Sequence, residues 1–326
     1  MPLVSVIIPT YNCSLYIRET ISSILLQENA PDIEIIVIND GSTDETGDIA
    51  RSFGDPVKVI DQKNSGVCSA RNHGVKRACG DFMAFVDHDD FWMPNKLSNQ
   101  LAAFAAHPNV DVVFTDFCRW NIDAEDGNYP SPAQFTAGAK PQGFDSELTG
   151  WIYHQMLLSS WILTSTALAK SNAIYSSGGF NESLPYSEDW DFWLRISRQC
   201  QFLKLNEKST LYRQHPDQGS RLVRPIDYRS LLLMKASKEW GLCSQDGHCV
   251  SPGEFRRFLA KCSASFGLEH LRATGDAHWP IAARAFLKAW SIDPFYIKSL
   301  GYLAASSFGW KPGWHSPNLR DNRKSS

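Results

Sequence analysis

The 326-residue sequence has no run approaching the ~20 consecutive apolar residues of a transmembrane helix, and its longest weakly polar stretch, around Leu300 to Trp310, is about half of that. No basic segment followed by an apolar one precedes the first strand-like run, Leu3 to Ile8, so no signal peptide is predicted. The common nucleotide signatures are missing as well. No G-x-G-x-x-G follows that first strand and no G-x-x-x-x-G-K-[ST] occurs anywhere, which takes support from dinucleotide redox chemistry and from P-loop hydrolysis. The eight cysteines (Cys13, Cys68, Cys79, Cys118, Cys200, Cys243, Cys249, Cys262) lack the dense spacing of a secreted disulfide scaffold, and a reduced compartment is the simpler reading. Cys243, His248, Cys249 and Cys262 also lack the paired spacing of a structural zinc site.

What is present is a globular composition. Hydrophobic residues make up 43% and charged residues 21%, which excludes disorder across the whole chain, and the length suits one large α/β domain with an appendage. The net charge of -3 conceals an asymmetry. Residues 1–220 hold 16 Lys and Arg against 27 Asp and Glu, a charge of -11, whereas residues 221–326 hold 16 against 8, a charge of +8.

The first third alternates strand and helix patterns. Leu3 to Ile8, Ile33 to Ile38, Val57 to Ile60, Phe82 to Val86 and Val110 to Phe114 read as strands, most of them nearly all apolar. Between them, Ser14 to Gln27 has helical spacing at Ile17, Ile21, Ile24 and Leu25. Ser42 and Glu45 offer a capping box for a helix reaching Phe53, and Ser69 to Cys79 and Pro94 to His107 complete the set. This alternation predicts a mostly parallel sheet sandwiched by helices, with ligands bound beyond the carboxyl ends of the strands. Three polar clusters fall on that rim: Pro9-Thr10-Tyr11-Asn12, Asn39-Asp40-Gly41-Ser42 and Asp87-His88-Asp89-Asp90. The three aspartates of the last repel one another unless a cation or a ligand's donors compensate, and carboxylates without a Cys/His set suit Mg2+ or Mn2+ rather than zinc.

These segments, taken in order, resemble the family 2 inverting glycosyltransferases, whose fold is the Rossmann-like nucleotide-diphospho-sugar transferase fold called GT-A. The resemblance rests on Val6 to Asn12, Ile38 to Asp44, Asn64 to Asn72, Phe85 to Asp90, Ser187 to Asp191 and Tyr212 to His215, covering about residues 3–220. It implies that Pro9, Thr10, Tyr11, Asn12, Asp40, Ser42, Asn64, Ala70, Arg71, Asp87 and His88 surround a nucleotide-sugar donor. It implies too that Asp89, with Asp87 and His215, holds a divalent cation (Mn2+ or Mg2+) at the donor's diphosphate. Asp189, paired with Glu188 at the head of a helix, is the implied base that takes the proton of the acceptor hydroxyl. A UDP-sugar is the first donor expected, a glycan or lipid-linked hydroxyl the acceptor, and cell-surface polysaccharide synthesis the setting. A sugar-nucleotide-binding module without activity and a sugar-nucleotide pyrophosphorylase stay open as alternatives, although the latter's glycine-rich basic loop is replaced by Pro9 to Asn12.

Trp151, Trp161, Trp190 and Trp193 crowd the expected acceptor side, with Trp193 assigned to the core, and Asn121 to Gly150 reads as an insertion or flexible loop. After Arg221 the alternation stops. Asp227 to Trp240, Pro252 to Phe266, Ala277 to Ala289 and Pro294 to Ser306 read as helices of an appendage over 221–326, with Arg320 to Ser326 as a frayed end. Its charge and its Trp290, Phe295, Tyr296, Tyr302, Phe308, Trp310 and Trp314 fit peripheral contact with an anionic membrane. A solvated surface or a homodimer contact explains them equally. No nucleic-acid partner is expected, and the expected location is cytoplasmic, at the inner face of the cell membrane if the tail binds it.

Overall fold

Apolar strands without polar alternation need cover on both faces, and the chain supplies it with helices. The structure, a computed structural model, describes residues 2–29, 31–123, 127–136, 143–273 and 278–307. In order, the elements are β1 (Leu3–Thr10), α1 (Ile17–Leu25), β2 (Asp32–Asn39), α2 (Thr46–Arg51), β3 (Val57–Asp61), α3 (Val67–Val75), β4 (Phe82–Phe85) and β5 (Phe91–Trp92). Then come α4 (Lys96–Ala106), β6 (Val112–Trp120), α5 (Ala133–Thr136), β7 (Phe144–Gly150), α6 (Tyr153–Met156), β8 (Leu168–Lys170), α7 (Ser171–Ser176), α8 (Glu188–Ile196) and β9 (Phe202–Arg213). Four more helices follow: α9 (Tyr228–Trp240), α10 (Pro252–Arg272), α11 (Trp279–Ile292) and α12 (Lys298–Ser307).

The strands form one sheet in the order β3-β2-β1-β4-β8-β6-β9-β5, with β7 beside β9. β3, β2, β1 and β4 are mutually parallel, as is the β6/β9 pair, while β8, β5 and β7 run antiparallel to their neighbours. The sheet is therefore mostly parallel but mixed. The antiparallel members are short or polar (Phe144 to Gly150 holds one buried residue, Leu148), so they carry no apolar run to announce them. For that reason the loop expected over Asn121 to Gly150 proves to contain a strand, whose Asp145 lies within 3.4 Å of the Lys204 ammonium on β9.

Apolar clusters form on both faces of the sheet. Val4, Val6 and Ile8 meet Ile35, Val37 and the Ile17, Ile21, Ile24 stripe of α1 on one side, and Ile36 and Ile38 meet Ala70 of α3 on the other. Trp193 is buried as expected. Helix starts differ from expectation where polar side chains have other work. The Ser42 hydroxyl accepts from the Asn12 N–H instead of capping α2, and Asp44 takes the Thr46 N–H at the helix start. Pro94 lies two residues before α4, and its carbonyl accepts from the Glu28 N–H.

The described residues divide into two compact units, one ending at Pro216 and excluding Tyr153–Ser160, the other taking that segment with the chain from Asp217 onward. In the second, Ala260, Ala264, Leu268 and Leu271 of α10 pack on Ala282, Phe286 and Ala289 of α11. Asp227 and Ser251 cap α9 and α10 by accepting from Ser230 and Glu254 N–H groups. α10 runs past the expected Phe266 to Arg272 because its apolar face continues through Leu268 and Leu271. Cys243 and Cys249 correct the reading of uniformly reduced cysteines: they form a disulfide that closes the loop between α9 and α10, and the other six are free. No helix among the described residues is long and apolar enough to cross a membrane. Ala277, Phe308, Trp310, Trp314 and Arg320 to Ser326 lie outside the described residues.

α3 sits so close to β1 that a Cβ on Gly74 would stand 2.4 Å from Ile7 Cγ2, inside a fully buried, β-branched side chain. Gly→Ala within a helix normally stabilises by about 1 kcal/mol. Here we predict the opposite sign, a loss of about 1–3 kcal/mol from overpacking, measured as a lower denaturant midpoint for Gly74→Ala; an unchanged or raised midpoint refutes the close approach.

Candidate active site

Parallel strands ending at one rim bring their following loops together, and side-chain hydrogen bonds fix those loops to one another. Asn12, with φ at 47°, donates its N–H to Ser42 Oγ at 3.0 Å and accepts the Thr43 N–H on Oδ1 at 2.8 Å. Ser14 and Cys13 extend the seam by donating their N–H groups to Asp44 and Thr46. Thr10 is buried beside it, whereas the Tyr11 ring is 45% exposed and presents a face to solvent.

Asp40, only 4% exposed, organises the next loop. Its Oδ1 accepts from Gln62 Nε2 (2.7 Å) and the Ser65 N–H (2.8 Å), and its Oδ2 accepts from the Gly66 N–H (2.9 Å). Gly41, at φ 77°, lets the two loops approach: a Cβ there would lie 2.9 Å from the Asn64 nitrogen. Asn64 is exposed at the edge of this loop.

Beyond β4 lies the acidic cluster. Ser165 Oγ accepts the Asp87 N–H, and His88 Nδ1 bonds the Pro9 carbonyl at 3.2 Å. The end of β9 grips the following residues. His215 Nε2 lies 2.9 Å from Asp89 Oδ2, and the Arg213 N–H donates to Asp90 Oδ1 at 3.3 Å. Environment then separates the acids. Burial works to raise the Asp89 carboxyl, but the His215 hydrogen bond and the nearby His88 hold it below its usual range. Asp90, fully buried beside Asp89 and Asp87, is pushed well above it.

Arg71 joins this cluster to a distant part of the chain. From the buried side of α3 its Nη2 donates to Asp87 Oδ1 (2.7 Å) and its Nη1 to Glu188 Oε1 (3.3 Å), while the guanidinium lies 4.9 Å over the Phe180 ring. α8 thus begins against the acidic loop. Asp189, next to Glu188, has its carboxyl pushed up to about 7, by burial first and by the Glu188 charge second, with Arg71 opposing. The helix is braced by Arg195, which pairs with Asp191 at 2.8 Å and donates to the Ser177 and Gly179 carbonyls. Asn72, one residue on from Arg71, holds Phe180 through both its backbone N–H and its carbonyl.

Of the residues singled out from the sequence, Pro9 and Thr10 end β1, Asn12, Asp40 and Ser42 lie on the linked loops that follow β1 and β2, and Arg71, Asp87, Glu188 and Asp189 form one charged cluster. Asp89 and His215 are in direct contact. Ala70 stands apart, its side chain packed under the sheet with Ile36 and Ile38. Sequence reasoning did not single out Ser165, Phe180, Asp44 or Arg213. Arg213 lay within a quoted segment, but nothing in its spacing marks a buried cation.

Among the described residues no group of three or more His, Cys, Asp or Glu is already assembled to hold a metal ion. The donor chemistry nevertheless fits a hard divalent ion that draws most of its ligands from phosphate and water. Arg71 bonds Asp87 through Oδ1 and His215 bonds Asp89 through Oδ2, and the buried His215 Nδ1 has no hydrogen-bond partner. Asp89, Asp87 and His215 are the residues that would hold such an ion.

Residues 5–157 match the family model described as glycosyl transferase family 2. An uncharacterized glycosyltransferase of Rickettsia typhi is 36% identical over 200 residues, covering 60% of this chain and 59% of that protein. The chain therefore spans about three fifths of that relative's length. The UDP-Glc:alpha-D-GlcNAc-diphosphoundecaprenol beta-1,3-glucosyltransferase of Escherichia coli is 33% identical over 224 residues, 66% of this chain and 78% of that one. Among solved structures, Staphylococcus aureus TarS in complex with UDP aligns with a TM-score of 0.52 at 23% identity, over 92% of this chain and 75% of that one. A Pyrobaculum calidifontis mannosyltransferase in complex with GDP-Man and Mn2+ aligns with a TM-score of 0.54 at 19% identity, over 94% and 80%. These two likenesses carry the fold.

Removing Arg71 would leave the buried cluster without its cation. We predict that Arg71→Ala lowers stability by about 3 kcal/mol and moves ionisation of the Asp189 carboxyl above pH 7, read by carboxyl NMR. Arg71→Lys should recover only part of this, because one ammonium cannot replace a fork reaching two carboxylates. An Asp189 titration unmoved in Arg71→Ala would refute the link.

Proposed function

The chain belongs to glycosyltransferase family 2, and from that premise we propose that it moves a sugar from a nucleotide-diphospho-sugar to a hydroxyl of a glycan or lipid-linked acceptor with inversion. UDP is the first nucleotide proposed, since the E. coli relative is named for UDP-Glc and TarS was solved with UDP. Cell-surface polysaccharide synthesis is the proposed setting.

The observation that carries this reading is the Arg71 bridge, which holds the head of α8 against the Asp87-His88-Asp89 loop. Inversion needs a base on the face of the anomeric carbon opposite the leaving group. Asp189 is the proposed base, and a carboxylate whose conjugate acid ionises near 7 takes a hydroxyl proton more readily than an ordinary one. Tyr11 offers an aromatic face for the nucleoside, and Asp40 holds the Asn64 to Gly66 loop beside it. His215 keeps Asp89 oriented, and Arg71 does the same for Asp87. A divalent cation bound there would neutralise charge on the departing nucleoside diphosphate without a proton.

The second unit carries exposed Leu287, Trp290, Phe295 and Ile297. Arg284 and Lys298 flank them in sequence, and Lys288 lies among them. Apolar side chains flanked by cations support the proposal that this unit rests on an anionic bilayer.

Two measurements test these readings. Asp189→Asn should lower transfer by about 10²–10⁴-fold with nucleoside diphosphate affinity kept, and the wild-type rate should rise with pH through about 7 as the base ionises. Transfer by Asp189→Asn at the wild-type rate would overturn the assignment. For the surface, sedimentation with phosphatidylglycerol vesicles should capture the protein at low salt and release it at high salt, and Trp290→Glu with Phe295→Glu should abolish capture. Indifference to vesicles at low salt removes the membrane reading.

A further inference from the structure

Arg213 ends β9 and is 2% exposed. A buried guanidinium is costly unless its donors and its charge are matched, and here they are matched by groups from four parts of the first unit. Nη2 pairs with Glu19 Oε2 of α1 at 2.5 Å, and Nε donates to the Asp89 carbonyl at 2.8 Å. The guanidinium carbon lies 4.0 Å from the Trp120 ring centre, 4.6 Å from Tyr129 and 4.8 Å from Tyr16. Tyr129 in turn donates its hydroxyl to the Gln214 carbonyl, and Tyr16 packs on the His215 ring at 4.9 Å.

We infer that Arg213 is a positioning residue that fixes the backbone of the Asp87 to Asp90 loop and so aims the Asp89 carboxylate. Arg213 and His215 are two residues apart, and both side chains reach the same loop. One grips the Asp89 carbonyl and the other its carboxylate, so Asp89 is held at both ends. The Arg213 N–H adds a third point at Asp90. The aromatic walls leave the guanidinium plane no freedom to swing, and lysine has neither the Nε donor nor a planar face to fill the cage. Arg213 touches no reacting atom in this scheme; it acts through Asp89.

The inference rests on the proposed nucleotide-sugar site for its effect on metal, but its backbone effect can be read without any ligand. In Arg213→Lys, hydrogen exchange should quicken over residues 86–91, where the Asp90 amide bonds the Asp87 carbonyl, and stay unchanged over β1 and β2. Mn2+ should also strengthen UDP binding about 10-fold less than in the wild type, with the affinity for UDP alone unaltered, a split that general destabilisation would not produce. Wild-type exchange over 86–91 in the variant overturns the inference. If Arg213→Lys does not fold, Glu19→Gln, which frees one side of the guanidinium, should quicken the same exchange, and no change there overturns it equally. A wild-type chain indifferent to Mn2+ and UDP would sink the proposed function, and the exchange measurement would still decide the role of Arg213.

Discussion

One buried guanidinium holds the candidate site together. Arg71 stands on α3, yet its two terminal nitrogens reach Asp87 after β4 and Glu188 at the start of α8, residues separated by about a hundred positions in sequence. Three carboxylates, Asp87, Glu188 and Asp189, would repel one another in a setting poor in water, and the cation between them makes the assembly stable. Gly74 allows the same helix to lie against β1, and Asn72 ties it to Phe180, so Arg71 is placed by packing and backbone bonds on either side of it.

Around that cation the same side-chain type has three different acidities. Asp89 is held low because His215 donates toward it and His88 is near; Asp90 is held high because it is fully buried beside two other acids; Asp189 is pushed up to about 7. One residue type in three surroundings therefore spans a range of acid strengths, the separation by environment that the proposed proton transfer beside a metal-bound diphosphate would call on.

The fold was legible where its signal is local. Apolar runs of strand length, separated by helical spacing, identified β1 to β4 and β6, and with them the rim on which Asp40 and Asp87 fall. β5, β7, β8 and β9 escaped notice: the first three have only two, seven and three residues, and in β9 the polar Lys204 and Asn206 to Thr210 interrupt the apolar positions. The start of α2 was misplaced because Ser42 serves the Asn12 loop rather than a cap, a choice made by a partner distant in sequence. The Cys243–Cys249 bond was likewise invisible, since a spacing says nothing of which sulfurs meet.

The sequence by itself determined the alternating architecture, the acidic rim, the ordered motifs of the family and the division of charge between front and tail, because each is a property of residue type and spacing along the chain. Only the tertiary structure decided that Arg71 spans two loops, that Ala70 belongs to the core rather than the site, that Arg213 is caged beneath Asp89, and that Asp189 is tuned to near 7. Those depend on desolvation and on contacts between segments far apart in sequence, and neither burial nor proximity of that kind is written in any local pattern.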